Sequence, residues 1–153
     1  MPHFDLVSHW SIPAPVDRVW DALVEPEAWP QWWPGVIAVH QLKPGDATGV
    51  GSIRRIEWVG WFASRFVTEV EAIEVLRHDR LRGRSRGHLD GEGLWLLRAD
   101  GGTTHITYVW RVTLVRGWMR WMAPLLAPVF RWNHRAVMRA GERGLVRRLA
   151  GEV

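Results

Sequence analysis

Six segments with the two-residue period of β-strands follow one another between residues 36 and 115, and this run constrains the fold more than any other feature. The segments are VIAVHQLK (36–43), VGSIRRIEWV (50–59), ASRFVTEVEAIEVL (63–76), LRGRSRGHL (81–89), GLWLLRA (93–99) and THITYVWRVTLV (104–115). Turns are predicted at Gly60, at 77–80, at Asp90-Gly91 and at 100–102. Asp-Gly pairs between short strands are typical of hairpins, so the run predicts an antiparallel sheet.

Helical patterns stand on both sides of this run. HFDLVSHWSI (3–12) reads as a first strand, and residues 14–25 then place Val16, Val19 and Leu23 at helical spacing. A second short helix is predicted after Pro26, and a long C-terminal helix is unbroken from residue 129 to 150, with a start, kink or restart at the prolines before it. Strands segregated from helices indicate an α+β fold. Only the last helix is large enough to cover a seven-stranded sheet.

Length and composition exclude several classes of site. The chain has 153 residues, which predicts a single domain over 1–153. There is no cysteine, so disulfides and thiolate metal ligands are excluded, and the seven histidines lack the spacing of metal ligands. We therefore predict neither a metal nor a cofactor. The N-terminus lacks the apolar core of a signal peptide, and WMAPLLAPVF (121–130) is too short to span a bilayer, so a cytoplasmic location is predicted.

Positive charge is concentrated towards the C-terminus. The net charge is +4, and nine of the arginines follow residue 101, where the only acidic residues are Glu142 and Glu152. In the last helix the arginines recur every four residues on the face opposite the apolar stripe, at 131, 135, 139, 143 and 147. This pattern favours a solvated helix face. The alternative partner is an anionic membrane surface, reached through the helix and the tryptophan-arginine segment 116–122 (Arg116, Trp118, Arg120, Trp121 and Met122). Nucleic acid is not predicted, because no reading motif accompanies the charge.

Small residues on the predicted inner faces indicate unfilled space. In the segment 81–89, Arg82, Arg84, Arg86 and His88 must face outward, which leaves Leu81, Gly83, Ser85, Gly87 and Leu89 facing inward. The C-terminal helix opposite offers Ala140, Gly141 and Gly144. Either the helix approaches the sheet very closely, or a hollow exists between them.

Aromatic residues are the predicted walls of this hollow. Pairing across the turn at 100–102 places Trp95 beside Tyr108 and Leu97 beside Ile106. Asn133 and His134 interrupt the apolar stripe of the last helix and would orient the polar end of a ligand, or they are half-buried with backbone partners. Arg55 and Glu57 are interpreted as an outer-face ion pair, unless the turn at Gly60 has two residues. The predicted ligand-binding residues are Trp33, Phe66, Ser85, Trp95, Tyr108, Trp110, Phe130, Asn133, His134 and Val137.

Three stretches carry a resemblance to a known family: IPAPVDRVWDALVEPEAWPQWWPGV (12–36), DGGTTHITYVW (100–110) and WNHRAVMRAGERGLVRRLAG (132–151). Over nearly its whole length the chain resembles the polyketide cyclase/dehydrase and lipid transport group of the START-like helix-grip (SRPBCC) superfamily. The resemblance implies a curved seven-stranded antiparallel sheet wrapped around a long C-terminal helix, with two short helices after the first strand. It also implies a cavity for a hydrophobic small molecule. Trp29, Trp32 or Trp33 would then cap the cavity mouth, or all three wedge the short helices onto the sheet.

The sequence is compatible with three functions. The favoured one is a binding module for a lipid, polyketide or other aromatic molecule. The second is a cyclase, aromatase or dehydratase, for which His134 and Tyr108 are the only catalytic candidates; no nucleophile–base set is present, so no catalytic centre is predicted. The third is a lipid carrier that docks on membranes through the arginine-rich helix. Whether Trp58, Trp61 and Trp110 fill the hollow, and what the oligomeric state is, are not determined by the sequence.

Overall fold

The computed structural model describes residues 3–59, 65–87, 90–113, 117 and 121–151. The helices are α1 (Val16–Leu23), a 3₁₀ helix (Pro26–Gln31) and α2 (Ala123–Leu149). The strands are β1 (His3–Ile12), β2 (Val36–Lys43), β3 (Ile53–Val59), β4 (Arg65–Leu76), β5 (Arg80–Gly87), β6 (Asp90–Asp100) and β7 (Thr103–Thr113). The predicted α+β order of strand, two short helices, six strands and a long helix is confirmed.

All seven strands form one antiparallel sheet in the order β1-β7-β6-β5-β4-β3-β2. The last strand, β7, pairs with the first strand, β1, and every other pair of neighbouring strands is consecutive in the chain. Trp95 lies opposite Tyr108 and Leu97 opposite Ile106, as the sequence predicts. One residue is extra in β4, where the register shifts between Ala72 and Glu74. This irregularity keeps both Ala72 and Val75 on the inner, cavity-facing side.

The turn at 100–102 is confirmed, whereas the turn predicted at Asp90-Gly91 is wrong. Gly101 has a φ of +61°, a left-handed conformation that glycine adopts without strain. Asp90 and Gly91 instead belong to β6 and pair with Thr113 and Val112. A Cβ on Gly91 would overlap the carbonyl oxygen of Arg111, so this glycine serves a close approach of two backbones. The predicted turn residue Gly60 lies outside the described residues. So do His88, Leu89 and three members of the tryptophan-arginine segment, Arg116, Trp118 and Arg120.

The C-terminal half of α2 is anchored to the sheet by tryptophans. A Cβ on Gly141 would lie 2.6 Å from Cε2 of Trp33 and 2.8 Å from Cζ2 of Trp10, and one on Gly144 would overlap the Trp32 carbonyl oxygen. Nε1 of Trp33 donates a hydrogen bond of 2.8 Å to the Val137 carbonyl. The two helix glycines therefore permit very close approach, which is one of the two alternatives that the sequence left open.

The opposite face of α2 carries the arginines. Pro124 lies in the first turn of the helix, which continues through Pro128 without ending; proline is tolerated in a first turn because the N–H there has no helical partner. Arg131, Arg135, Arg139, Arg143 and Arg147 are all exposed, as their four-residue spacing predicts.

Within the described ranges, no helix combines the length and the apolar character needed to cross a membrane.

Trp33 is the centre of the core. It is 1 % exposed, and its ring makes contacts at centroid distances of 5.2–6.2 Å with five neighbours: Trp10, Trp29, Trp32, Trp58 and Trp95. Most of these pairs are edge-to-face or tilted, which is the favourable geometry for aromatic rings. The core therefore joins the 3₁₀ helix, the sheet and α2 through a single cluster of indoles.

Candidate functional site

A cavity of about 700 Å³ lies between the concave face of the sheet and α2. Its walls come from β3 to β7, from the end of α1 and the 3₁₀ helix, and from the first half of α2. This volume is within the range of small-molecule sites, roughly 300–1,000 Å³. Trp58 and Trp110 therefore line the hollow without filling it, and Trp61 lies outside the described residues.

Residues without bulky side chains form part of the cavity wall. Gly83 lies directly opposite Gly93 on the neighbouring strand, and Ser85 follows on the same face of β5. Both glycines and Ser85 border the cavity. A Cβ on Gly83 would lie 2.7 Å from Cγ1 of Val70, so this glycine makes room for a neighbouring side chain of the wall, whereas the helix glycines permit the close approach of α2. Gly87 of the predicted inner row is exposed, with a φ of +125° at the end of β5, and Leu89 lies outside the described residues.

Aromatic side chains form the walls. Trp95 and Tyr108 pack at a centroid distance of 4.2 Å, and Trp58 stacks on Phe66 at 6.3 Å. Nε1 of Trp58 donates a 3.0 Å hydrogen bond to the Thr68 hydroxyl, which satisfies the indole N–H inside the protein. The lining is therefore mostly apolar, with a few polar groups at defined places.

His134 supplies the main polar group on the helix side. Its ring stacks on Trp110 at a centroid distance of 5.2 Å and on Tyr108 at 6.2 Å. Its Nε2 atom is buried and has no hydrogen-bond partner among the described residues. Burial lowers the pKa of His134 from 6.5 to about 4, because the charged imidazolium loses its hydration. The ring is therefore neutral at pH 7 and presents an unpaired nitrogen.

Tyr108 is the second polar group of this cluster. Its hydroxyl lies 2.7 Å from the position that a Cβ on Gly93 would occupy, so Gly93 makes room for the phenol. Burial raises the pKa of Tyr108 well above its usual value of 10. The phenol is consequently protonated and can donate a hydrogen bond. Asn133 precedes His134 on α2 and also borders the cavity.

Arg54 is a polar lining residue that sequence reasoning missed. It borders the cavity, where its Nε donates to Glu27 Oε1 at 2.6 Å and its Nη1 to the Ser52 hydroxyl at 3.1 Å. The inner face of β3 therefore comprises residues 54, 56 and 58. This excludes the inward alternative for Arg55 and Glu57, whose strand positions alternate with these. The large apolar residues Ile56 and Trp58, which are two positions apart, were the sequence signal that could have identified this inner face.

All ten residues predicted to bind a ligand lie on the wall of this cavity. That they contact a ligand remains a prediction. Among the residues missed, Leu126 and Val129 extend the wall towards the start of α2, and residues 44–49 form part of it between β2 and β3.

The three clustered tryptophans divide their roles. Trp29 and Trp33 border the cavity, whereas Trp32 does not and instead packs its backbone against Gly144 of α2. All three are buried. Trp29 and Trp33 therefore form part of the cavity wall, and Trp32 contacts the C-terminal helix; that any of them caps the cavity mouth remains a prediction.

Metal binding finds no support in the described ranges. They contain no group of three or more histidine and acidic side chains close enough to hold a metal ion.

A family model described as polyketide cyclase / dehydrase and lipid transport matches residues 3–150. No curated protein matches the chain in sequence.

Three solved structures illustrate the fold. A Thermus thermophilus protein is 19 % identical, with a TM-score of 0.74 over 98 % of this chain and 100 % of that one. A START superfamily protein from Mycobacterium smegmatis is 14 % identical, with a TM-score of 0.77 over 99 % of this chain and 100 % of its own. The Zhui aromatase/cyclase from Streptomyces sp. R1128 is 18 % identical, with a TM-score of 0.70 over 99 % and 100 %. At these identities the likeness shows the fold alone, which is the START-type helix grip.

Proposed function

Because the chain belongs to the polyketide cyclase/dehydrase and lipid transport family, we propose that it binds a hydrophobic small molecule between the sheet and α2. The ligand classes are a lipid, a polyketide or another aromatic molecule. The single observation that carries the proposal is the open cavity of about 700 Å³ with aromatic walls. A hollow of this size within an otherwise well-packed core costs free energy, and a bound apolar molecule offsets that cost.

The polar cluster gives the ligand an orientation. His134 has an unpaired buried Nε2, and a buried polar atom without a partner is unfavourable by about 1–3 kcal/mol. A hydroxyl or carbonyl group on the ligand would satisfy this atom or accept a hydrogen bond from the Tyr108 phenol. The apolar body of the ligand would then lie along Trp95, Phe66 and Phe130.

Native mass spectrometry of the purified protein tests the proposal, followed by extraction and identification of what is released. A co-purifying lipid or aromatic molecule is the expected result, and it would identify the chemical class. If the protein is free of ligand, it is titrated with a panel of fatty acids, sterols and aromatic polyketides. No mass shift with any of them would contradict the proposal.

A cavity-filling variant makes this test specific. Ala72 borders the cavity, so Ala72→Trp should occupy part of the hollow and reduce ligand binding at least about tenfold, since every 1.4 kcal/mol is a factor of ten. The matched control is Ala99→Trp, which adds the same side chain at an exposed position of β6. Equal binding by the two variants would place the ligand elsewhere.

The second candidate function is a cyclase, aromatase or dehydratase that uses the same cavity. It is favoured by one observation: a neutral histidine with an unpaired Nε2 lies against a protonated tyrosine. His134 would act as general base and Tyr108 as hydrogen-bond donor to a substrate carbonyl. If His134→Gln abolishes turnover of a bound polyketide but retains its binding, this candidate is supported; unchanged turnover removes His134 from any mechanism.

The other expectations stay predictions. These are a cytoplasmic location, one domain over 1–153, the absence of a cofactor and the absence of a nucleic-acid partner.

A further inference from the structure

The most exposed large apolar side chains of the described chain occur together at the start of α2. Trp121 is 83 % exposed, Leu125 73 % and Trp132 66 %. Leu125 and Trp132 are seven residues apart, which is two helical turns, so they lie on one side of α2. Trp121 stands two residues before the first residue of this helix. We call these three residues the outer stripe.

The other described tryptophans are much less exposed than Trp121 and Trp132. Those at 10, 20, 29, 32, 33 and 95 are buried, and Trp58 and Trp110 are half-buried on the cavity wall. Single exposed apolar residues are ordinary, but two tryptophans and a leucine within twelve residues, on the helix and just before it, indicate an interaction surface. The fold itself does not use the outer stripe.

The charge around the outer stripe is uniformly positive. Arg131, Arg135 and Arg139 are exposed and lie beside or just beyond it along the helix. No acidic residue occurs in the sequence between Asp100 and Glu142. Apolar residues with tryptophan on a helix that carries arginines are typical of segments that lie in a membrane interface, because the indole ring prefers the headgroup level and the arginines contact anionic lipid.

The area of the outer stripe does not favour a second copy of this chain. Three large side chains bury roughly 500 Å², whereas a standard protein interface takes about 800 Å² from each partner. Two copies joined through this face would also bring like-charged arginine rows together. An anionic surface satisfies both the apolar and the charged part of the helix.

We propose that the outer stripe and its arginines dock the protein on an anionic membrane surface. Leu126 and Phe130, which are one turn apart on the inner side of the same helix, border the cavity. Only one helix would then separate the cavity from the bilayer. The inference does not depend on the proposed ligand, because it rests on exposed residues that do not line the hollow.

Vesicle co-sedimentation of the full chain tests the docking. Vesicles of phosphatidylcholine alone are compared with vesicles in which one lipid in three is phosphatidylglycerol. Binding to the anionic vesicles only is expected, with partitioning that weakens when NaCl is raised from about 0.1 M to about 0.5 M, since salt screens exposed charges. Absence of binding to the anionic vesicles would overturn the proposal.

Variants make the assignment to this surface specific. Leu125→Ser and Trp132→Ser should each reduce partitioning about tenfold through lost apolar contact, and Arg131→Gln and Arg135→Gln about fivefold each. Leu42→Ser and Leu76→Ser are matched controls for the apolar changes, because these leucines lie on other elements and are 51 % and 46 % exposed. Arg86→Gln is the charge control, because Arg86 is an exposed arginine of β5. Partitioning that is equally reduced by the control variants would overturn the proposal.

Two further measurements separate the alternatives. Analytical ultracentrifugation should show no self-association that depends on the outer stripe; a dimer lost in Trp132→Ser would assign the face to a second copy and overturn membrane docking. Ligand binding in solution should be unchanged in Leu125→Ser and Trp132→Ser. Failure of docking with ligand binding retained would therefore contradict this inference alone and leave the proposed function intact.

Discussion

At the scale of single residues, burial decides the chemistry of the polar cluster. His134 stacks on Trp110 and on Tyr108, and these apolar surroundings favour its uncharged form. The sequence could place His134 on the inner side of α2, because helical spacing is a local property. It could not give the protonation state, which depends on rings contributed by β7.

The pH dependence of stability tests this protonation state. The pKa of His134 is about 4 in the folded protein against 6.5 for the free side chain, so the unfolded chain takes up a proton first as the pH falls. The stability from the neutral ring is fully present above pH 6.5 and is lost as the pH falls towards 4. When the pH is lowered from 7.5 to 4.5, the free energy of unfolding should fall in both proteins. In His134→Gln this decrease should be about 2–3 kcal/mol smaller than in the original protein, as measured by urea unfolding. Parallel profiles would contradict the burial of this ring.

At the scale of elements, glycines have two different uses. In β5 and β6, Gly83 and Gly93 oppose each other and border the cavity. In α2, Gly141 and Gly144 admit Trp33 and the backbone of Trp32. The strand glycines make room for the wall side chains Val70 and Tyr108, whereas the helix glycines let another segment of the fold approach.

Alanine at the helix glycine should therefore be costly. A Cβ on Gly144 overlaps the Trp32 carbonyl, so Gly144→Ala should destabilise the fold by about 1–3 kcal/mol despite the higher helix propensity of alanine. The control is Gly102→Ala, where an added Cβ meets nothing within 4 Å and the change should stay within about 0.5 kcal/mol. Thermal unfolding of the two variants checks this. A cost at Gly144 no larger than that at Gly102 would mean that α2 is not docked as closely as described.

At the scale of the whole molecule, one side chain connects the layers. Trp33 follows the 3₁₀ helix, packs on Trp10 and Trp95 of the sheet and donates a hydrogen bond to Val137 of α2. It also borders the cavity. The same residue therefore supports the packing of the layers and forms part of the cavity wall.

Removal of this side chain should affect the entire fold. Trp33→Ala should cost about 3–5 kcal/mol in the free energy of unfolding, as large-to-small changes in cores do, and could leave the chain unfolded. Trp132→Ala deletes the same side chain at a site that is 66 % exposed, and its unfolding midpoint should change little. Circular dichroism with urea titration compares the two. Similar stabilities would contradict the central role of Trp33.

The sequence by itself determined the order of elements, the antiparallel register of β6 with β7 and the residues on the inner face of β7. These follow from two-residue and 3.6-residue periods and from turn chemistry, which are local. It did not determine the inner face of β3, because Gly60 obscured the register and Arg54 was unexpected on an inner face. It also led to a wrong turn at Asp90-Gly91, because a glycine that permits close contact between two strands cannot be distinguished by sequence from a glycine in a turn.

Only the tertiary structure decided that the hollow is open and which groups face it. The cavity wall combines Gly83, Ser85 and Gly93 of the neighbouring strands β5 and β6 with residues of β3, β4, β7 and the first half of α2, which are distant in the chain. Tryptophans near residue 33 hold the C-terminal half of that helix. The spacing between two packed layers depends on every side chain between them. The spacing between the layers is therefore a property of the assembled core and cannot be read from any single segment.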